Sequence, residues 1–390
     1  MHILEIPSFF PPYGGEFCIE QSKALTMMGH EVRIMANIQL SIKKNYRNYI
    51  FAQTGVKTTR IDGITVIRRE MRGLPKCIRP NVRRWLRDVN RMFEDYIKTY
   101  GKPDIIHAHC AKWAGYAAML IYKNYNIPYV ITEHLPLAIL RTEFKDNKVW
   151  QISFLKEAYY KASMVIPVAK KLVDDTSCYY GNNYKWIEIS NSIDTCFFHF
   201  HERQSQNGRP FKFCCLANFT YRKGYDILLP AFDEYCKKYP DTELHIAGVY
   251  TDCKELKVMI DQCHNNSNIK IWGGLNKEEV RSLLYKSDCL ILASRGEVQP
   301  LSILEAMSTG IPAISTEVTP KSLRIDNGCF ICPVDDITAL SQIMIHVREN
   351  YGSIDGRELS KKVAQMASLK TVGKKLDELF SAIIKSTGQH

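Results

Sequence analysis

The feature that most constrains this chain is a rhythm of short apolar runs and amphipathic stretches that lapses near residue 200 and then restarts. Such alternation marks a mostly parallel sheet covered by helices. In the first half Ile3 to Ile6 reads as a strand and Glu16 to Met28 as a helix, closed by Gly29. Further strands are predicted at Glu31 to Ala36, Asp104 to Ala108, Tyr129 to Thr132 and Val165 to Val168. In the second half strands at Phe211 to Leu216, Glu243 to Ala247, Ile269 to Trp272, Cys289 to Ala293 and Ala313 to Ser315 alternate with helices. Those helices are predicted at Tyr225 to Tyr239, Lys277 to Lys286 and Ser302 to Thr309, and the polar run His201 to Pro210 is the natural linker. A chain of 390 residues exceeds what one hydrophobic core usually organises. The expectation is therefore an α/β protein with two doubly wound, Rossmann-like domains, residues 1–198 and 199–369. Such folds bind ligands beyond the C-terminal ends of their strands, which predicts a cleft between two facing domains. A last helix, 370–387, carries Val372, Leu376, Leu379, Phe380 and Ile383 on one face and could pack on either domain.

Charge and cysteine usage narrow the setting. No run approaches the roughly 18 apolar residues of a membrane span, and MHILEIPSFF has no leader pattern, so it reads as a first strand. Thirteen scattered cysteines in such a chain predict a reducing, cytoplasmic compartment. Cys329 and Cys332 have metal or redox spacing but sit in the apolar run GCFICP with no second pair nearby, so filler is the reading and no metal is expected. The excess of 52 basic over 41 acidic residues favours an acidic partner: nucleic acid, an anionic membrane surface or a phosphate-bearing substrate.

Three segments could carry chemistry. In PPYGGE, Gly14 and Gly15 stand between the first strand and its helix, where a glycine lets a ligand approach the backbone and a helix start offers amides to an anion. Taken alone, a plain tight strand-to-helix turn is the preferred reading. In FTYRKGYDILLPAF, Arg222 and Lys223 precede a helix and suit a diphosphate, though a solvated basic loop is the simpler alternative. In SRGEVQPLSILEAMSTGIP, Glu297 follows an apolar strand and Glu305 falls early in a helix. Ser302-x-x-Glu305 also fits a capping box, which would make Glu305 purely structural.

Two further features stand apart. His107 and His109 end a strand on one face, with no third metal ligand suggested nearby. A predicted helix from Val82 to Ile97 turns Val82, Trp85, Leu86, Val89 and Phe93 one way and leaves Arg83, Arg84, Arg87 and Arg91 largely off that face. With Arg68, Arg69, Arg72, Lys76 and Arg79 upstream, this is the densest basic region of the chain. It can hold anionic headgroups at about 1 kcal/mol per basic residue, or it can simply be the wet side of a core helix. No row of stacking aromatics accompanies it, so nucleic acid is not expected.

In order, the chain carries PPYGGE, MGHEV, PDIIHAH, TEH, SNSID, RKGYDILLPAF, WGGLNKEEV, EVQPLSILEAMSTGIP and NGCFICPVDD. This set, above all Glu297-x7-Glu305 followed by Ala306-Met307 and Gly310-x-Pro312, resembles family 4 of the glycosyltransferases over nearly the whole length. The resemblance implies a GT-B fold, a nucleotide-sugar donor held mainly by the C-terminal domain, and retention at the anomeric carbon without a metal or other cofactor. It implies that Lys223 binds the donor diphosphate with Arg222 as helper, that Glu305 binds the ribose, and that Glu297 faces the donor sugar and supports developing positive charge. Gly15 would approach the phosphates, His109 would contact the transferred sugar, and the C-terminal helix would return to the first domain.

Departures from the family pattern fall on the same site. Ala217-Asn218-Phe219 stands where Gly-Arg-Leu is frequent, so Asn218 can only hydrogen-bond the phosphates. Gln299-Pro300 replaces Phe-Gly, and proline removes one amide, leaving those of Leu301 and Ser302. Asn191-Ser192-Ile193-Asp194 replaces the usual Asn-Gly-Val-Asp, and TPKSL, Thr319 to Leu323, stands where a glycine-rich loop is expected. The resulting expectation is transfer of a sugar from a UDP-sugar to a glycan or lipid-diphosphate-linked glycan in cell-surface polysaccharide synthesis. The protein would be cytoplasmic, with a peripheral place on the inner face of the membrane. A GT-B nucleotide-sugar epimerase and a non-catalytic sugar-nucleotide or membrane-surface binder are the alternatives.

Overall fold

A computed structural model describes the chain except residues 43–45, 53, 137–139, 142–148, 204–207 and 389–390, so the middle of the expected linker lies outside the described residues. The chain divides into two compact units: Met1–Ser192 with Leu369–His390, and Ile193–Ser368. These boundaries stand against the expected 198/199 and 369/370.

The first unit has seven strands: β1 (His2–Pro7), β2 (Glu31–Leu40), β3 (Val56–Ile61), β4 (Ile64–Arg72), β5 (Ile105–His109), β6 (Tyr129–Glu133) and β7 (Met164–Pro167). Their order is β3-β4-β2-β1-β5-β6-β7. All pairings are parallel except β3 with β4. That hairpin departs from the sequence reading and takes up part of the basic region. Arg69 lies 3.2 Å from the carboxylate of Asp88, and Arg72 donates to the carbonyls of Tyr49, Ile50 and Ala52. The long helix Ile78–Tyr100 buries Val82, Trp85, Val89, Met92, Phe93 and Tyr96, the apolar stripe of a surface helix. Helix Leu369–Ser386 belongs to this unit. Its Gly373 passes so near helix Glu16–Met27 that a Cβ there would lie 2.5 Å from the Ala24 carbonyl oxygen.

The second unit is a six-stranded, wholly parallel sheet: β8 (Phe211–Leu216), β9 (Thr242–Ala247), β10 (Ile269–Gly273), β11 (Cys289–Leu292), β12 (Ala313–Thr316) and β13 (Cys329–Cys332), in the order β10-β9-β8-β11-β12-β13. The central strands β11 (CLIL) and β12 (AIST) are buried throughout, as parallel strands covered on both faces are, while the edge strand β10 (IKIWG) alternates half-buried and exposed residues. Cys329 and Cys332 are free thiols buried in β13. No helix among the described residues is long and apolar enough to cross a membrane.

Candidate active site

In the second unit the site is built where β8 and β11 end. After β8 the chain makes a tight turn, Tyr221–Lys223, and Gly224 at φ +66° starts helix Tyr225–Cys236. A Cβ on Gly224 would stand 2.0 Å from the Ala293 carbonyl oxygen, so only glycine lets the turn seat against the end of β11. The Arg295 amide completes the seam by donating to the Arg222 carbonyl at 2.7 Å. Glu297 then meets both cations: Lys223 Nζ lies 2.5 Å from its Oε1 and Arg222 Nη1 3.4 Å from its Oε2. The Glu297 side chain is 6% exposed and that of Lys223 13%. Burial on this scale makes the pair strongly interdependent.

Four residues beyond Glu297 begins helix Leu301–Ser308. Its N-cap is Pro300, with no side-chain cap, so the Leu301 and Ser302 amides sit in an uncapped first turn. The capping-box reading of Ser302 fails: Ser302 lies inside the helix rather than at its cap, and Glu305 is the fifth helical residue, half-buried. Two cations, one carboxylate and a positive helix end together suit an anion. Asn218 Oδ1 accepts the Val249 amide at 3.0 Å and ties two loops together. Thr319 to Leu323 forms a compact turn, with Arg324 donating to the carbonyls of Thr319 and Glu317.

Arg295 is a site residue that sequence reasoning passed over, although it lies in SRGE. It donates to both carboxylate oxygens of Asp226 at 2.8 and 2.7 Å and to the Tyr221 carbonyl at 2.7 Å, and its guanidinium lies 4.0 Å over the Tyr221 ring. Its hydrogen bonds hold the Asp226 carboxyl below the usual range. Arg295 therefore fastens the turn that presents Arg222 and Lys223.

In the first unit Gly15, at φ +94°, caps helix Glu16–Met27, and a Cβ there would lie 2.1 Å from the Phe9 carbonyl oxygen. The parallel register pairs Glu5 with His107 and Pro7 with His109, so all three polar side chains share one face. Glu5 is the third group that sequence spacing had not suggested. Its carboxylate lies 3.0 Å from His107 Nδ1 and 2.6 Å from His109 Nε2, while His107 Nε2 meets Thr132 Oγ1 at 2.6 Å. These donor atoms lie within 4.8 Å of one another, a spacing a divalent cation accepts. Burial would raise the Glu5 carboxyl, but the two histidines outweigh it and hold it at about 2. Burial and the neighbouring His107 lower His109 to about 4, against the opposing pull of Glu5. An ionised Glu5 accepts from both rings, which leaves His109 Nδ1 to accept from His134 Nε2 at 3.4 Å. His109 thus has no solvent-accessible surface. Glu5 and His134 engage both ring nitrogens of His109. Beside it, Glu133 accepts from the amides of Ala111, His134 and Leu135 and from the Tyr159 hydroxyl, fixing the loops after β5 and β6.

On helix Ile78–Tyr100, Arg83, Arg87 and Arg91 are exposed. Arg84 is not free for a surface, because its Nη1 donates to the Arg72 carbonyl at 3.1 Å.

Comparison with known proteins now places the chain. Residues 14–197 match the family described as Glycosyltransferase Family 4, and residues 198–367 match Glycosyl transferases group 1. The chain belongs to the family 4 glycosyltransferases. Among curated relatives, it is 24% identical over 234 residues to a glycogen synthase of Mycobacterium tuberculosis, covering 58% of this chain and 55% of that one. It thus spans about half the length of the first curated relatives it matches. The alpha-monoglucosyldiacylglycerol synthase of Acholeplasma laidlawii is 22% identical, with 85% of this chain and 83% of that one covered. Among solved structures, Anabaena HepE in complex with UDP aligns at a TM-score of 0.73 and 15% identity, over 98% of this chain and 100% of that one. The fold is GT-B, with two Rossmann-like units built on parallel sheets.

Proposed function

We propose that this protein is a retaining glycosyltransferase that moves a sugar from a nucleotide diphosphate to a glycan or lipid-diphosphate-linked glycan in cell-surface polysaccharide synthesis. The observation that carries the reading is Glu297 held between Lys223 and Arg222 beside the uncapped start of helix Leu301–Ser308. UDP is the favoured nucleotide, supported by the UDP bound to HepE.

The chemistry follows from these groups. Two cations against one carboxylate leave a net positive site, which a diphosphate completes. Its charge draws Lys223 and Arg222 toward the phosphate oxygens, and the Leu301 and Ser302 amides supply neutral donors. Glu305 bonds the ribose hydroxyls. Glu297, released from Lys223, turns its carboxylate to the sugar and supports positive charge as the anomeric bond opens. The departing diphosphate oxygen takes the acceptor's proton on the same face, which retains configuration. Cations that stabilise a leaving diphosphate act mainly in the transition state, where that charge develops. Gly15 is proposed to admit the phosphates, and His109 to act on the sugar once the loop after β6 moves His134 off its Nδ1. No metal or other cofactor is part of the proposal. Arg83, Arg87 and Arg91 would meet anionic headgroups on the inner face of the membrane.

The test is a panel of nucleotide sugars incubated with and without acceptor, using wild type, Lys223→Ala and Glu297→Ala. A glycosylated product with retained configuration, lost in both variants, supports the proposal. Unchanged transfer in both variants sinks the site. A changed sugar nucleotide formed without acceptor favours an epimerase, and donor binding without turnover favours a silent binder.

A further inference from the structure

The loop after β1 reads Ser8-Phe9-Phe10-Pro11-Pro12-Tyr13, apolar where a loop is ordinarily polar. Phe10 is buried, but Phe9 and Tyr13 are exposed. Both line a cavity of about 200 Å³ in the first unit, together with Gln39 of β2, Trp85 of helix Ile78–Tyr100, and Lys112 and Trp113 after β5. Its place is set by topology. In the strand order β2 lies on one side of β1 and β5 on the other, so the chain's connections part between β1 and β5. An open parallel sheet binds ligands in the crevice that such a parting leaves beyond the strand ends.

The lining is held from within the unit. Trp85 Nε1 donates to the Asn37 carbonyl at 2.7 Å, and Asn37 Nδ2 donates to the Trp85 carbonyl at 3.2 Å. Trp113 is stacked on Trp150 with ring centroids 5.8 Å apart and meets Tyr116 edge-on at 6.1 Å. The Tyr13 hydroxyl accepts from Asn48 Nδ2 at 2.9 Å. Two polar groups are left over. Gln39 is exposed and Trp113 half-buried, and among the described residues neither the carboxamide nor the indole N–H has a hydrogen-bond partner. Lys112, the charged residue of the lining, is already engaged.

We propose that this cavity holds one uncharged sugar ring, the terminal residue of the acceptor, an inference that rests on the transfer to a glycan proposed above. The axial C–H groups of a pyranose form a weakly positive, apolar face, which suits the negative face of an aromatic ring. Gln39 brings two donors and an acceptor to the hydroxyls at the ring's edge, and Trp113 brings one donor. A volume below the roughly 300 Å³ at which drug-sized pockets begin fits one ring rather than a chain of them. With Lys112 engaged, the described lining offers no free cation to a carboxylate or phosphate. A uronic acid or a sugar phosphate is therefore the disfavoured acceptor terminus.

Methyl glycosides of glucose, galactose, mannose and N-acetylglucosamine are titrated into the full chain without donor, followed by ligand-observed nuclear magnetic resonance, with methyl glucuronide beside them. At least one uncharged glycoside is expected to bind saturably at 1:1, and at least threefold more tightly than the glucuronide. The exposed change Gln39→Ala weakens it about threefold, the scale of one neutral hydrogen bond. Trp113→Ala weakens it at least tenfold, and Trp113→Phe, which keeps an aromatic ring should the smaller variant misfold, weakens it by less. The proposal is overturned if none of the four binds saturably, if the glucuronide binds equally well, or if Gln39→Ala and Trp113→Phe leave the affinity unmoved. Affinity that rises with alkyl length in octyl glycosides but ignores the sugar overturns it too, since the cavity would then serve a lipid tail. Titration with UDP reads the donor site separately: sugar binding without UDP binding sinks the donor reading alone, and UDP binding without sugar binding sinks this pocket alone.

Discussion

Gly224→Ala is the sharpest perturbation of the site, since it alters the turn that presents Arg222 and Lys223 without touching either. The residue stands at φ +66°, and a Cβ would approach the Ala293 carbonyl oxygen to 2.0 Å. The left-handed conformation costs a non-glycine residue about 1–2 kcal/mol. The clash cannot stay, so backbone must move, and overpacking of this kind costs a further 1–3 kcal/mol or so. Together the loss is about 2–5 kcal/mol, on the order of 10 °C in the melting temperature of the second unit. Gly273→Ala is the matched control, because Gly273 has φ +71° and nothing within 4 Å of its Cβ position. It bears only the conformational part, about 1–2 kcal/mol. Calorimetric melting of both variants isolates the steric part, and titration with UDP reads the displacement of the turn. Gly224→Ala should lose donor affinity at least tenfold while Gly273→Ala keeps it. Equal melting temperatures with equal affinities would refute the claim that the approach to Ala293 sets the position of Lys223.

Four other outcomes follow from the geometry. Lys223→Ala leaves Glu297 nearly buried without its main partner, a loss of roughly 3–5 kcal/mol, whereas Lys223→Ala/Glu297→Gln recovers part of it. A double variant no more stable than Lys223→Ala in urea unfolding would show that the pair is not coupled. Burial first, then His107, lowers His109 from 6.5 to about 4. Between those pH values the unfolded chain binds a proton that the folded chain refuses, so stability falls as pH drops through that window, by about 3 kcal/mol. Four of the five tryptophans, Trp85, Trp113, Trp150 and Trp186, lie in the first unit, so fluorescence-monitored urea midpoints report it, and a flat profile from pH 6.5 to 4 would contradict the shift. Gly373→Ala should loosen helix Leu369–Ser386 by about 1–3 kcal/mol, and unchanged proteolysis near residue 368 would count against the close approach to Ala24. Arg295→Ala should free the Tyr221–Lys223 turn, which weakens UDP binding without large loss of melting temperature, and unaltered binding would remove Arg295 from the site.

What the sequence revealed and what it hid divide along a physical line. Alternating apolar runs report which backbone is buried, so both parallel sheets could be anticipated from local pattern alone. The Lys223–Glu297 meeting was partly legible, since both residues follow strands and so fall at the same sheet edge. Its distance depends on Gly224 seating against Ala293, 69 positions away, and no local pattern encodes that. The hairpin β3–β4 was missed because its first strand, VKTTRI, is exposed almost throughout and carries no apolar rhythm. The Glu5 cluster shows the limit most clearly. His107 and His109 advertised a shared face, but Glu5 joins them through a β1–β5 register that spans 102 positions. Shifting that register by one residue would turn Glu5 to the opposite face and leave two buried imidazoles without their carboxylate. The polar cluster and the register therefore specify one another, which gives a chain reason to keep a carboxylate in an otherwise apolar strand. The sheet also fixes the burial of His109, so any access to a sugar must come from moving the loops that Glu133 and Tyr159 hold rather than from the strand.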